Sequence, residues 1–325
     1  MQSFQYSKVA TVSDALAGIA SPGAMFVAGG TTLIDLMKLY VERPTSVVDI
    51  NSLPLDRVEP QPDGSLKIGA LVRNSDLAHN DLVQKSFPVL SQALLSGASP
   101  QLRNMAATGG NLLQRTRCYY FRDVNYPCNK RQPGSGCSAI GAYNRIHAVL
   151  GTSESCIATN PSDMAVAMMA IGATIHIAST NNSRTVPISG FYLLPGNTPN
   201  RETVLEPGEI ITHVTLPPLP SAAKSYYLKR RDRSSYEFAL ASAAVIVETT
   251  GRRIRHAQIA FGGIATIPWR SPVAEKALIG HEANDRTFHN AAEAALRDAK
   301  PHKYNVFKIP LAKLTLIRAL QTVTA

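Results

Sequence analysis

The stretch from Ala24 to Asp49 reads AMFVAGGTTLIDLMKLYVERPTSVVD. The run AMFVA has the length and apolar character of a strand, Gly29 and Gly30 mark a turn, TTLIDLMKLY carries apolar residues at helical spacing, and SVVDI is a strand again. Leu33, Leu36, Met37 and Tyr40 recur at threes and fours, which predicts one helix face turned to a core. The order strand, glycine turn, helix, strand opens a unit that mixes helices with a sheet. Such a turn sets backbone N–H groups at the positive end of a helix dipole, a place suited to phosphate oxygens. It matches neither the dinucleotide fingerprint nor the phosphate loop ending in Gly-Lys-Ser/Thr. A tight turn alone also accounts for two glycines.

Working outward, a helix is predicted over Ser13 to Ala20, before the first strand. After SVVDI, the polar PQPDGS separates this unit from LKIGALV, read as a strand running into a helix near Ser75 to His79. A second unit follows: the helical FPVLSQALLSGAS, a cysteine-bearing region, the apolar MAVAMMAIGATIHIA and the strand EIITHVTLP. The cluster LPPLP marks a boundary. Beyond it KSYYLKRR, SAAVIVE and IRHAQIAFGG read as strands, and helices are predicted near Val273 to Ile279, Thr287 to Asp298 and Pro310 to Leu320. The fold class is therefore α+β, with units at 1–58, 59–220 and 221–325.

Bulk properties narrow the function. The chain has 325 residues, 45% hydrophobic and 17% charged, which is ordinary for a globular protein with buried cores. No apolar run approaches a membrane-spanning length, so no membrane insertion is expected, and MQSFQYSKVATVSDALAGIA lacks the basic and apolar regions of an export signal. The formal charge of +10 comes without a nucleic-acid-reading motif, so no nucleic acid is expected. A basic face that docks on acidic partner subunits fits better, with KRRDR (229–233) as its densest segment.

Two further motifs carry chemistry. ATGGNLLQ places Thr108, Gly109, Gly110, Asn111 and Leu112 in a second glycine turn, and two such turns suit a dinucleotide with a pyrophosphate. NPSDMAVAMMA sets Ser162 or Asp163 as the cap of an apolar helix. Four cysteines, Cys118, Cys128, Cys137 and Cys156, are grouped in one region. Disulfides, a structural zinc and an iron-sulfur cluster all remain open for them. A long chain has little need of disulfides, and no two cysteines lie closer than nine positions apart, whereas zinc sites favour tight pairs. The turn-forming YPCNKRQPGSGC is suited to wrapping a cluster, with Arg115, Arg117, Lys130 and Arg131 adding positive charge. His147 lies between Cys137 and Cys156, where an imidazole can replace a thiolate ligand, although a packed histidine is the ordinary reading.

AGGTTLIDLMK, QLRNMAATGGNLLQ, NPSDMA, YLKRRDRSSYEFALASAAV and GGIATIPWRSPVAE, in this order over the whole chain, resemble the FAD-binding subunits of the molybdenum hydroxylases, the family of the xanthine dehydrogenase and carbon monoxide dehydrogenase flavoproteins. The resemblance implies two FAD-binding subdomains and a C-terminal α+β domain. It implies that Val27, Ala28, Gly29, Gly30, Thr31, Thr32 and Leu33 hold the pyrophosphate, that Thr108 to Leu112 line a second wall, that Asp163 takes a ribityl or ribose hydroxyl, and that Lys229 lies close to the flavin. The insertion 113–159 resembles the branch found in bacterial periplasmic aldehyde oxidoreductases, which implies a 4Fe-4S cluster on Cys118, Cys128, Cys137 and Cys156. The function so implied is electron transfer in a heterotrimer. A large molybdenum-cofactor subunit oxidises aldehyde, a small 2Fe-2S subunit passes electrons to FAD here, and an external acceptor removes them. No catalytic acid, base or nucleophile is then expected on this chain. Export with a signal-bearing partner subunit would place it in the periplasm, with the cytoplasm as the alternative. An aromatic acyl-CoA reductase subunit, a stand-alone FAD oxidase and a zinc-stabilised binding module are the competing readings.

Overall fold

The computed structural model describes residues 1–325 and contains three separate sheets. The first is small and wholly parallel: β1 (Gln5–Lys8), β2 (Ala24–Val27) and β3 (Ser46–Asp49), in the order β1-β3-β2. Helix Val12–Ile19 crosses from β1 to β2 and is capped by Thr11, whose Oγ1 accepts from the Asp14 N–H at 3.1 Å. Helix Leu33–Lys38 joins β2 to β3 and buries Leu36 and Met37. Tyr40, expected on the same face, is exposed instead. The helix ends at Lys38, and Tyr40 adopts φ 59°, which turns its side chain off the helical stripe. Strand β1 was not read from the sequence, because QYSK is exposed at all four positions and shows no apolar alternation.

The second sheet is antiparallel, with β4 (Val58–Pro60), β5 (Leu66–Gly69), β6 (Thr174–Ala178), β7 (Ser183–Pro187) and β8 (Ile210–Leu216) in the order β4-β5-β8-β6-β7. PQPDGS is the turn of the β4–β5 hairpin and so lies within this sheet. Helix Asp163–Ile171 runs through the core behind it with all nine residues buried, and Gly172 ends it in the left-handed region.

The third sheet, β9 (Lys224–Arg230), β10 (Ala241–Thr250), β11 (Arg253–Gly262) and β12 (Trp269–Arg270), has the order β12-β11-β10-β9. Strand alternation divides β10 between two cores. Ala241, Ala243, Val245 and Val247 pack with helices Pro272–Leu278, Asp285–Ala295 and Lys308–Thr324, while Ala244 and Ile246 join the core of the second sheet. This apolar contact fixes the C-terminal unit against helix Asp163–Ile171. No helix of the chain is long and apolar enough to cross a membrane.

Candidate functional site

The first glycine turn is shaped by close backbone approach. A side-chain carbon on Gly29 would lie 1.9 Å from the Met105 carbonyl oxygen, and Gly30 has φ +71°, so neither position accepts a larger residue without movement. The same approach brings the two glycine-bearing segments together. Arg73 donates from one guanidinium nitrogen to Met105 O at 2.6 Å and from another to Asn51 Oδ1 at 2.7 Å, while Asn51 donates to Ala28 O at 2.9 Å. The segment expected as a second glycine turn is a short helix, Thr108–Leu112, because its backbone closes on itself after Ala107, and Thr108 in it is wholly buried. Its N–H and its hydroxyl both reach Val72 O at 3.0 Å, and the Gly109 N–H reaches Ala70 O at 2.8 Å. Gly110 faces open space, so the backbone is bare at that position.

Asn111 ties this short helix to the NPSD element, since its Oδ1 accepts from Ser162 Oγ at 2.7 Å while Ser162 caps the following helix. Asp163, the first residue of that helix, is 8% exposed. Its Oδ1 accepts from the Tyr227 hydroxyl at 2.5 Å and its Oδ2 from Lys229 Nζ at 2.8 Å. Lys229 is nearly covered and also donates to Ser96 O at 3.1 Å, so its ammonium is committed to protein partners. Burial, and then the Asp163 charge, pushes the Tyr227 phenol well above its ordinary pKa, and Ser242 Oγ lies 2.9 Å from its oxygen. Tyr227 and Ser242 were missed in the sequence. The available signal was period two: Tyr227 and Lys229 sit two apart on β9 and share a face.

Asp163 lines a cleft of about 230 Å³ where the second sheet's helix, the cysteine region and the C-terminal unit meet, with Tyr119, Tyr143, Arg145, Phe238 and Gly263 on its walls. Leu112 lines a more open hollow of about 470 Å³ with Arg115, Tyr192 and Glu202. Residues 27–33 border neither of these two spaces.

The KRRDR segment is divided: Lys229 and Arg231 are part-buried, and Arg230, Asp232 and Arg233 are exposed. Lys229 meets Asp163, Arg231 donates to Ser96 O at 2.9 Å, and Asp232 accepts two bonds from Arg145 at 2.6 and 2.8 Å. Only Arg230 and Arg233 remain as exposed cations of that run. The cations around the cysteines are likewise paired. Arg115 bridges Glu42 and Glu202, Lys130 meets Glu202, Arg117 and Arg122 grip Asp35, and Arg131 donates to the carbonyls of Tyr120, Phe121 and Tyr126. Burial acts to raise the Glu202 pKa, but the Arg115 and Lys130 cations hold it below its ordinary value.

The four cysteines are free thiols and line one narrow cavity of about 10 Å³ with Tyr120 and Phe121. Cys128 faces Cys137 across an isolated antiparallel bridge. Burial pushes the Cys118 thiol up to about 12 and raises Cys137 and Cys156 as well. One backbone N–H reaches a sulfur, that of Ala158 at 3.5 Å from Cys156 Sγ. His147 Nε2 lies 3.1 Å from Cys118 Sγ, and burial, then Lys308, lowers its imidazole pKa to about 4. No group of three or more His, Cys, Asp or Glu side chains is arranged to hold a single metal ion. Four thiols line one cavity, and thiolates of this number are the donors that a cysteine-bound cluster takes.

Comparison with known proteins adds a family. A profile described as the FAD binding domain in molybdopterin dehydrogenase matches residues 2–219, and one described as the CO dehydrogenase flavoprotein C-terminal domain matches residues 226–323. The chain is 49% identical to the aldehyde oxidoreductase FAD-binding subunit PaoB of Escherichia coli, over 98% of each chain. It is 27% identical to the glyceraldehyde dehydrogenase medium chain of Sulfolobus acidocaldarius, over 92% of this chain and 89% of that one. Among solved structures, carbon monoxide dehydrogenase from Hydrogenophaga pseudoflava shares the fold with a TM-score of 0.77 at 24% identity, over 99% of this chain and 97% of that one.

Proposed function

Since this chain belongs to the FAD-binding subunits of the molybdenum hydroxylases, we propose that it is the FAD and 4Fe-4S electron-transfer subunit of a heterotrimeric molybdenum-containing aldehyde oxidoreductase. The observation that carries the substrate class is the end-to-end 49% identity to a subunit named for aldehyde oxidation. In this reading a large subunit holds molybdenum and meets the aldehyde, and a small subunit supplies electrons through 2Fe-2S clusters.

FAD, when bound, supplies a carrier that accepts electrons and passes them to an external acceptor. The residues for it are Val27 to Leu33, whose turn is fixed by the Met105 contact, and Thr108 to Leu112, which present Gly110. Thr108 supports the wall from within through Val72. Asp163 borders the cleft with one edge while Tyr227 and Lys229 hold the other, so the carboxylate is oriented before any ligand arrives. Lys229 acts on the site through Asp163. Cys118, Cys128, Cys137 and Cys156 would hold the cluster, with the Ala158 N–H donating to Cys156 Sγ. The units 1–58, 59–220 with the insertion 113–159, and 221–325 are proposed as domains. We place the complex in the periplasm, exported with a signal-bearing partner subunit.

The test is anaerobic purification of the assembled complex, followed by assay of flavin, iron, acid-labile sulfide and zinc. Stoichiometric flavin, four irons beyond those of the partner's 2Fe-2S clusters, and bleaching by aldehydes are expected. Zinc without flavin would favour a binding module, and bleaching only by a reduced ferredoxin would favour the acyl-CoA reductase alternative. Cell fractionation with and without the partner's signal tests the compartment.

A further inference from the structure

We propose that His147 donates the hydrogen bond that sets the reduction potential of the cluster held by Cys118, Cys128, Cys137 and Cys156, an assignment that rests on the cluster reading above. His147 is 1% exposed, and its ring has a single polar contact, Nε2 to Cys118 Sγ at 3.1 Å, while Nδ1 has no partner. A buried histidine that serves packing alone normally has its ring nitrogens satisfied elsewhere. Here the scaffold spends its bonds on holding the ring against sulfur. The His147 N–H donates to Asn144 O at 3.1 Å, and its carbonyl accepts from Lys308 Nζ at 3.0 Å and Asn305 Nδ2 at 3.2 Å. Lys308 and Asn305 are fully buried and belong to the C-terminal unit, so the ring is positioned from outside the cysteine loop.

The direction of the effect follows from donor chemistry. A ligated thiolate only accepts, so the proton sits on Nε2, and Nδ1 is left as a bare lone pair rather than an orphaned N–H. When one electron enters the cluster, the sulfurs become more negative, no bond breaks and His147 keeps its proton. The donated bond strengthens with that charge and favours the reduced state. The His147 contact is the one hydrogen bond that the structure gives to Cys118 Sγ.

The experiment is a redox titration of the purified complex, reduced stepwise with dithionite and followed by electron paramagnetic resonance, in the parent, His147→Phe and His147→Gln. Removing the donor in His147→Phe is expected to shift the reduced-to-oxidised equilibrium about tenfold toward oxidised, about 59 mV for a one-electron couple. Flavin and iron contents should hold. His147→Gln, whose amide reaches the Nε2 position, should restore most of the shift. In the parent, nitrogen-15 labelling of histidine should give a weak coupling to the cluster, a readout that survives if His147→Phe misfolds. An unchanged potential in His147→Phe, iron loss with flavin retained, or a strong coupling typical of direct ligation overturns the assignment. A parent complex with no iron beyond that of the partner's 2Fe-2S clusters overturns the cluster reading and this assignment with it.

Discussion

Replacing Lys229 with Met keeps the stem of the side chain and removes its ammonium. That ammonium lies 2.8 Å from Asp163 in a pair whose side chains are 3% and 8% exposed. Removing one member of a buried pair leaves an uncompensated charge and costs about 3–5 kcal/mol. The Tyr227 hydroxyl still donates to Asp163 at 2.5 Å, which places the expected loss near the lower end, about 3 kcal/mol. Asp163→Asn strands the opposite charge and should cost a similar amount. The double variant removes both charges, so its loss should fall short of the sum by about 2 kcal/mol. Urea unfolding at fixed FAD concentration reads this out, with the single tryptophan, Trp269 on β12, reporting the C-terminal unit and flavin fluorescence reporting cofactor release. Losses that add to within about 0.5 kcal/mol would refute the view that the two residues act as one unit.

Gly30→Leu combines φ +71° with an Ile34 side-chain carbon 3.0 Å from the new Cβ, so folded protein should purify with little FAD, and full flavin content would remove this turn from the site. Cys137→Ser replaces a soft donor with a poor one, so iron and sulfide should fall together with flavin retention; a parent and variant both with no iron beyond that of the partner's 2Fe-2S clusters, differing by one thiol, would show that no cluster is bound. His213 stacks on His176 at 3.9 Å between ring centroids, and burial, then His176, lowers its pKa to about 4. Between that value and the ordinary histidine pKa the unfolded chain binds more protons, so stability should fall as pH drops from about 6.5 to 4 and be fully present above that window. His213→Gln should flatten this slope in thermal melts, and an unchanged slope would count against the pair as its source.

Local signals carried much of the fold. The helix between β2 and β3, the cap at Ser162 and the three C-terminal helices were readable because each rests on periodicity, a cap or a turn residue within a few positions. What escaped depends on distant closure. Arg115 finds Glu202, Lys130 finds the same carboxylate, and Arg145 finds Asp232, each across more than seventy positions. Such pairings between distant segments leave no signal in the local charge pattern. The turn at Gly29 and Gly30 was recognised as a turn, whereas Thr108–Leu112 is a short helix, and the closeness of the two segments was not read, because it rests on Arg73 and Asn51, two residues that no motif marks. Cysteine grouping was legible from spacing, whereas the Ala158 amide donor at Cys156 Sγ requires coordinates.

The position of the insertion gives it leverage over the flavin turn. Helix Leu33–Lys38 starts where that turn ends and meets the cysteine loop in two ways. Asp35, 40% exposed, accepts from Arg117 at 3.3 Å and Arg122 at 2.7 Å, while Leu36, 1% exposed, packs in one core with Cys118, Phe121, Cys128 and Cys156. The part-exposed ion pairs contribute on the order of 0.2–1 kcal/mol, whereas full burial of a leucine contributes about 1.5–3 kcal/mol. Packing at Leu36 is therefore the stronger link, and it does not depend on ionic strength. Because coupling between two sites is reciprocal, whatever orders the thiols must favour the flavin turn by the same free energy that flavin contributes to ordering the thiols. The flavin loss expected of Cys137→Ser follows from this contact: a loop without its organising centre withdraws the surface on which Leu36 is buried, and the helix that positions Gly30 loses its support.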